Sequence, residues 1–372
     1  MNEDKATRYH RAKRQASIVS LVWGVSLLAG LLESGFSLTL RSIAESVAPA
    51  TPSFWALPIT VSAYVFLLTA INEIVGLPLG FYAGFVLERR YGLSNERFSA
   101  WVLDQVKALA IGLVLTCGAA IVLYALIAWS PAWWWLVAGL AFAAAIVGLT
   151  ELTPVLLLPL FYRVKPLEKE SLRARLLALA ERAGARVLGA YEWGLADKTK
   201  KANAALAGIG STRRILVSDT MLAEYSDAEI EVVLAHELGH HVHGDIWKGI
   251  VFQSTLIVGG FYLAARVLGV LAVPIGLRGP ADVAGLPLLL IAAGVVSVAM
   301  LPVAHAMSRA YERSADRFAL DLTRNPAAFI SAMRRLGAQN LAEEDPSKIV
   351  QWLFYSHPPL RERIAAAQAF RT

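Results

Sequence analysis

The residues best suited to chemistry lie in one run, Glu231-Val-Val-Leu-Ala-His236-Glu237-Leu-Gly-His240-His-Val-His-Gly-Asp245. Two histidines four residues apart on a helix project from one face, so both imidazoles can reach a single metal ion. A glutamate beside the first of them can take a proton from the water that such an ion activates. The pattern H-E-x-x-H thus predicts a zinc-dependent hydrolytic site, with His236 and His240 as ligands and Glu237 as general base. A short pattern also arises by chance, and a His-rich helix end can be a solvated face, so the rest of the chain must complete the site. Ile230, Val233, Leu234 and Leu238 keep an apolar side at helical spacing. Ser226, Asp227 and Glu229 suit the N-terminus of that helix.

A catalytic zinc ion takes three protein ligands and keeps one position open. His243 lies on the same helical face seven residues after His236, but seven residues advance about 10 Å, too far for one tetrahedral centre. The third histidine of a metzincin would stand at position 246, which is Ile246. From His241 to Tyr311 the only carboxylates are Asp245 and Asp282, and the first glutamate beyond the helix is Glu312. Glu312 is the candidate third ligand; the alternative is a helix-surface residue paired with Arg309 or Arg313. Asp316, one turn further, can accept the free N–H of a ligating imidazole, or it can form an ordinary ion pair with Arg317 or another base.

The elements that must position these residues are largely apolar. Of 372 residues, 56% are hydrophobic and 17% charged, with mean hydropathy +0.51. A soluble protein cannot hide that much apolar surface, so the composition predicts an integral membrane protein. The single Cys117 sits in an apolar run and excludes a disulfide framework or a cysteine zinc site. No nucleic-acid module accompanies the net charge of +6; the basic residues read as signals of membrane orientation.

Six spans are expected, at about 16–40, 57–87, 102–128, 133–161, 249–272 and 286–306. The first is too long for the apolar core of a signal peptide and lacks a cleavage site. Gly76, Pro78, Gly80 and Gly84 break up the second, where Asn72 and Glu73 should face protein or a water-filled cavity. Glu151 and Pro154 interrupt the fourth. Lys and Arg are dense in the N-terminus, in 88–97, in 163–248 and after 308, whereas the intervening loops hold only Arg41 and Arg278. That pattern places both termini and the H-E-L-G-H helix in the cytoplasm. Glu312 then falls on the same side as the histidines, and Asp282 on the opposite one.

The expected fold is mainly α: an integral membrane helical bundle of about six transmembrane helices, with a cytoplasmic gluzincin-like zinc protease domain containing a small β-sheet. Its division is 1–162 for the first four spans with the cytoplasmic loop 88–101, 163–248 for the catalytic segment, 249–307 for two further spans, and 308–372 for a helical segment completing the site. Within the soluble part, 166–184 reads as an amphipathic helix ended by Gly184. Strands are expected at 186–193 and 214–218, with 203–209 between them, and Asn325-Pro326 and Asp345-Pro346 act as breaks.

Four motifs in order make the chain resemble the type I CAAX prenyl proteases, multi-span membrane zinc peptidases. They are Phe85-Val-Leu-Glu-Arg-Arg-Tyr-Gly-Leu-Ser94; Lys201-Ala-Asn203-Ala204 through Thr212 to Asp219; His236-Glu-Leu-Gly-His240; and Arg309 to Asp316 with Tyr355-Ser-His357-Pro-Pro-Leu-Arg-Glu-Arg363. The resemblance implies one catalytic Zn2+ held by His236, His240 and Glu312, with Glu237 as base. It implies that Asn203 and Ala204 form an edge strand pairing with an extended substrate. It also implies that His357 and Arg363 stabilise the oxyanion or position the scissile peptide. The implied substrate is a peptide or protein, lipidated or membrane-embedded, cut at the face of the lipid bilayer. Eukaryotic members are described with seven spans; the one lacking here falls at 41–56, which predicts a smaller or more open chamber. The Ala/Leu/Arg-rich composition is bacterial in character, which places the chain in a bacterial inner membrane. Two rivals remain: a heat-shock-type quality-control zinc protease of the membrane, and a non-enzymatic lipid-binding protein with structural zinc, against which Glu237 argues.

Overall fold

The computed structural model describes residues 4–49, 51, 53–153, 157–208 and 213–371. Pro154, Ile209 and Thr212 lie outside these residues, as does the side chain of Glu151. Helix α1 (Lys5–Glu33) begins well before the apolar run and carries its basic residues on helical turns. It ends at Ser34, where Gly35 takes φ 71°, a conformation glycine adopts without penalty, and turns the chain into α2 (Phe36–Ser46). The first expected span is therefore split, and the short α2 runs from its end into the first part of the stretch 41–56, where the seventh span is lacking. α2 is pinned there by polar contacts: Ser37 to Tyr64 and the Ala284 carbonyl, and Arg41 to Asp282.

Helix α3 (Ala56–Phe81) is not broken by its glycines and Pro78; it runs on through a π turn at Tyr82–Val86 into α4 (Leu87–Arg90). The π turn absorbs the irregularity near the proline without ending the helix. Asn72 and Glu73 are exposed. Helices α5 (Phe98–Trp129) and α6 (Trp134–Leu152) follow, then the short α7 (Leu158–Phe161).

The next segment builds a four-stranded sheet from β1 (Val164–Pro166), β2 (Gly189–Trp193), β3 (Ala204–Ala207) and β4 (Arg214–Ser218), in the order β1-β2-β4-β3. β1 has no signal in the sequence; three residues ending in a proline carry too little alternation to read as a strand. Helix α8 (Glu170–Arg182) covers the sheet with buried Leu172, Leu176 and Leu179. After α9 (Asp219–Glu224) comes α10 (Asp227–Val242), the H-E-L-G-H helix. It opens with a full capping box, Ser226 and Glu229 satisfying each other's backbone N–H.

Gly244 at φ 66° then reverses the chain into α11 (Asp245–Leu271). The 38-residue α12 (Leu286–Thr323) is continuous from the apolar bundle into the polar half of the molecule. Helices α13 (Pro326–Gln339), α14 (Lys348–Phe354) and α15 (Leu360–Gln368) complete the chain, α13 starting on an Asn325 cap with Pro326 in its first turn. Among the described residues two large cores result, one around α8, α10, α13 and the sheet, the other between α1, α2, α3, α5, α6, α11 and α12, with a small cluster of Tyr9, Leu87 and Leu93 besides. Among the described residues five helices are long and apolar enough to cross a membrane: Lys5–Glu33, Ala56–Arg90, Phe98–Trp129, Asp245–Leu271 and Val283–Thr323. The remaining expected span corresponds to a shorter apolar helix, Trp134–Thr150.

Candidate metal centre

Helix α10 buries Ile230, Val233, Leu234 and Leu238 in the core around the sheet, which turns His236, Glu237 and His240 toward a cleft. The opposite wall is α12. The two helices meet at Gly239, where a Cβ would stand 2.9 Å from Ala315 Cα. Ala315 and Ala319 are fully buried along the same seam, so small residues on α12 set a close approach. Glu312 and Asp316, on either side of Ala315, are thereby pressed against the histidines.

The geometry is that of a donor set suited to a cation. Nδ1 of His236 lies 2.8 Å from Asp316 Oδ1, and Nδ1 of His240 lies 3.0 Å from Asp245 Oδ2. With Nδ1–H donated in each ring, both Nε2 atoms present lone pairs. They point at one carboxylate: His236 Nε2 is 3.3 Å from Glu312 Oε2 and His240 Nε2 is 3.4 Å from Glu312 Oε1. One ligand atom from each residue lies within 4.8 Å of the others, and Glu312 Oε2 is buried without a hydrogen-bond partner. A buried carboxylate whose two oxygens face two imidazole lone pairs, one oxygen with no hydrogen-bond partner among the described residues, is costly unless a positive charge sits between them. Burial alone would lower the pKa of His236, but the facing carboxylates of Asp316 and Glu312 outweigh it and push it up to about 9.

Around this cluster the structure brings most of the expected residues together. Arg363 forks onto Asp316, with Nε 2.8 Å from Oδ2 and Nη2 2.6 Å from Oδ1, the bidentate geometry that a guanidinium matches best. His357 reaches in from the segment before α15, its Nε2 3.2 Å from Glu312 Oε1. Glu237 lines the cleft, and burial raises its pKa while the neighbouring histidines pull the other way. Asn203 and Ala204 line the same cleft of about 810 Å3. β3 is an edge of the sheet, bonded only to β4. Since Ser218 N–H donates to the Asn203 carbonyl, antiparallel alternation turns the backbone groups of Ala204 and Leu206 toward the open edge. His243 stays out of the cluster, its ring against Phe318.

Two features had no sequence signal sufficient to assign them. Asp245 enters the sequence reading only as one of two carboxylates between His241 and Tyr311, whereas it holds the far side of His240 and is itself held by Lys248 at 2.9 Å. The basic start of α1 reads in the sequence as an orientation signal, yet Tyr9, His10, Lys13 and Arg14 form part of the cleft wall. Tyr9, Lys13 and Lys201 converge on Glu88, and Arg14 binds Glu343, which ties α1 to the C-terminal segment.

Two helical histidines and a distant glutamate able to hold a metal ion, mounted on apolar helices of membrane length, fit a membrane metallopeptidase. The family model for peptidase family M48 matches residues 166–371, and the model described as CAAX prenyl protease N-terminal, five membrane helices, matches residues 2–163. The chain belongs to peptidase family M48. It is 31% identical to an uncharacterised metalloprotease, YhfN, of Bacillus subtilis, over 98% of this chain and 84% of the relative. It is 26% identical to CAAX prenyl protease 1 of Saccharomyces cerevisiae, over 97% of this chain and 84% of that one. The fold matches the crystal structure of S. mikatae Ste24p with TM-score 0.86 at 22% identity, covering 98% of this chain and 88% of the other. The protein is accordingly an integral membrane metalloprotease.

Proposed function

We propose that the protein is a zinc endopeptidase that hydrolyses peptide bonds in membrane-associated substrates at the cytoplasmic face of a bacterial inner membrane. The observation that carries this reading is the convergence of His236 Nε2, His240 Nε2 and Glu312 on one point while both Nδ1 atoms are engaged elsewhere. These three residues would hold one zinc ion. The chemistry it supplies when bound is Lewis-acid polarisation of a peptide carbonyl and acidification of a water molecule. Glu237 takes the proton from that water and later returns it to the leaving amine nitrogen. Asp316 fixes the His236 ring, and Arg363, its fork used by Asp316, holds that carboxylate in place. His357, at the cleft mouth, donates to the oxygen on which negative charge develops. The substrate lies extended along β3, pairing with the backbone of Ala204 and Leu206 beside Asn203.

In this reading residues 163–248 and 308–372 form the peptidase, and residues 1–162 and 249–307 hold it in the membrane with both termini cytoplasmic. Glu237→Gln should keep the metal, counted by elemental analysis, and lose hydrolysis by roughly 10²–10⁴-fold. Full peptidase activity in a metal-loaded Glu237→Gln protein would overturn the mechanism. The relatives named CAAX prenyl protease suggest a lipidated C-terminal segment as substrate. Faster cleavage of a prenylated CAAX peptide than of an unstructured membrane segment supports that class; the reverse order supports a quality-control protease.

A further inference from the structure

Helix α14 leaves an apolar face uncovered. Ile349 is 71% exposed and Trp352 53% exposed, and the two stand one turn apart on that face. Its depth relative to the membrane is fixed by Arg309. The Arg309 guanidinium donates to the carbonyls of Gln351 at 3.0 Å and Tyr355 at 2.7 Å, so the C-terminal end of α14 sits at the level of that side chain. Arg309 is the first charged residue after the uncharged stretch 286–308 of α12. At 1.5 Å per residue that stretch is roughly 35 Å long, enough to cross a hydrocarbon core of about 30 Å and end at its boundary. α11 gives a second marker of the same level. Lys248 lies over the Tyr311 ring at 5.1 Å, and its neighbours Trp247 and Ile246 are exposed. Tryptophan, tyrosine and lysine at one height are the composition of a membrane–water interface.

We propose that α14 is an interfacial helix whose Ile349–Trp352 face is immersed in the headgroup boundary of the bilayer. Its occupant is lipid, because the face lies at the height where α12 leaves the hydrocarbon and where α11 exposes Ile246 and Trp247. The consequence reaches the site. Phe354 ends this helix, and Phe354, Tyr355, Ser356 and His357 line the metal cleft, so the lipid-bound helix holds the cleft mouth against the membrane. This last step rests on the endopeptidase reading; the lipid contact does not.

The test uses the full-length protein in nanodiscs, with Cys117 replaced by alanine and a nitroxide placed at position 349, 352 or, as a water-exposed control, 168. Glu168 is 78% exposed in the sheet half. Power saturation should show labels at 349 and 352 accessible to oxygen and shielded from a water-soluble nickel chelate, with the opposite at 168. Chelate accessibility at 349 and 352 equal to that at 168 overturns the proposal. Spin–spin broadening at 352 that disappears on dilution with unlabelled protein overturns it in favour of a second copy. For the cleft, Trp352→Glu should raise KM several-fold for a lipid-anchored peptide, leaving kcat and the cleavage of a short soluble peptide unchanged. If no peptide is cleaved by the unaltered protein, the endopeptidase reading fails while the nitroxide result still decides the lipid contact.

Discussion

Replacing Gly239 with alanine separates two opposing effects of known sign. In a helix interior the exchange of glycine for alanine favours folding by about 0.5–1 kcal/mol, through the entropy glycine loses on folding. Here the new Cβ would stand 2.9 Å from Ala315 Cα and 3.3 Å from Ala315 Cβ and its carbonyl oxygen. Carbon atoms settle at about 3.5–4.0 Å, so α10 and α12 must separate by roughly 0.6–1.1 Å. Overpacking of this kind costs about 1–3 kcal/mol, which exceeds the helix-propensity gain. Ala315 lies between Glu312 and Asp316, so the same displacement carries away both the glutamate that faces the histidines and the carboxylate that orients His236. Ligand distances in metal sites hold to about 0.2 Å, several times less than the expected shift. Gly239→Ala should therefore lower the melting temperature in detergent and weaken zinc binding by about tenfold or more in a chelator competition. Adding Ala315→Gly relieves the 3.3 Å contact with Cβ but not the 2.9 Å contact with Cα, so recovery should be partial. A Gly239→Ala protein that melts at or above the parent temperature with unchanged zinc affinity would refute the claim that this helix contact sets the centre.

Two further outcomes follow from the same geometry. Asp245→Ala removes the acceptor of His240 Nδ1–H and should weaken zinc binding by about 10–100-fold, whereas Asp245→Asn, whose amide oxygen can still accept, should lose less; equal affinities for all three proteins would show that the carboxylate does not orient the ring. Glu229 gives a pH dependence. Burial tends to raise its pKa, but the hydrogen bonds from Ser331 and Ser226 and the charge of Arg335 prevail and lower it. A carboxylate depressed in the folded state contributes stability above its unfolded value, about 4.3, and loses it as pH falls through the folded value. The melting temperature should therefore drop between about pH 5 and 3, with a shallower slope in Glu229→Gln; parallel slopes for the two proteins would remove Glu229 as the cause.

What the sequence reveals of this site depends on how far apart in the chain each contact is made. His236, Glu237 and His240 are legible because one helical turn suffices to bring them together, and helical period is written in the apolar residues around them. Glu312 is reachable only by elimination, through the scarcity of carboxylates and a topology that returns the chain to the same side. Asp245 follows His240 by five residues yet stays hidden, since it turns back on that ring only through the left-handed conformation of Gly244. Gly239 is silent for a different reason: a glycine inside H-E-L-G-H carries no mark of what it must admit, and its partner Ala315 lies on another helix. The long spans are visible as apolar length, whereas the break at Gly35 and the unbroken course of α3 through Pro78 depend on neighbours that composition does not name. The basic residues of α1 show how one signal can hide another. Their charge suffices to explain orientation, so nothing in the sequence asks for the second role that Lys13 and Arg14 take up beside Glu88 and Glu343. The atoms expected to touch the ion are thus set by local spacing, while those that orient them are set by tertiary approach. Substitutions at Gly239 and Asp245, which change no metal-facing atom, therefore probe what the sequence alone left unread.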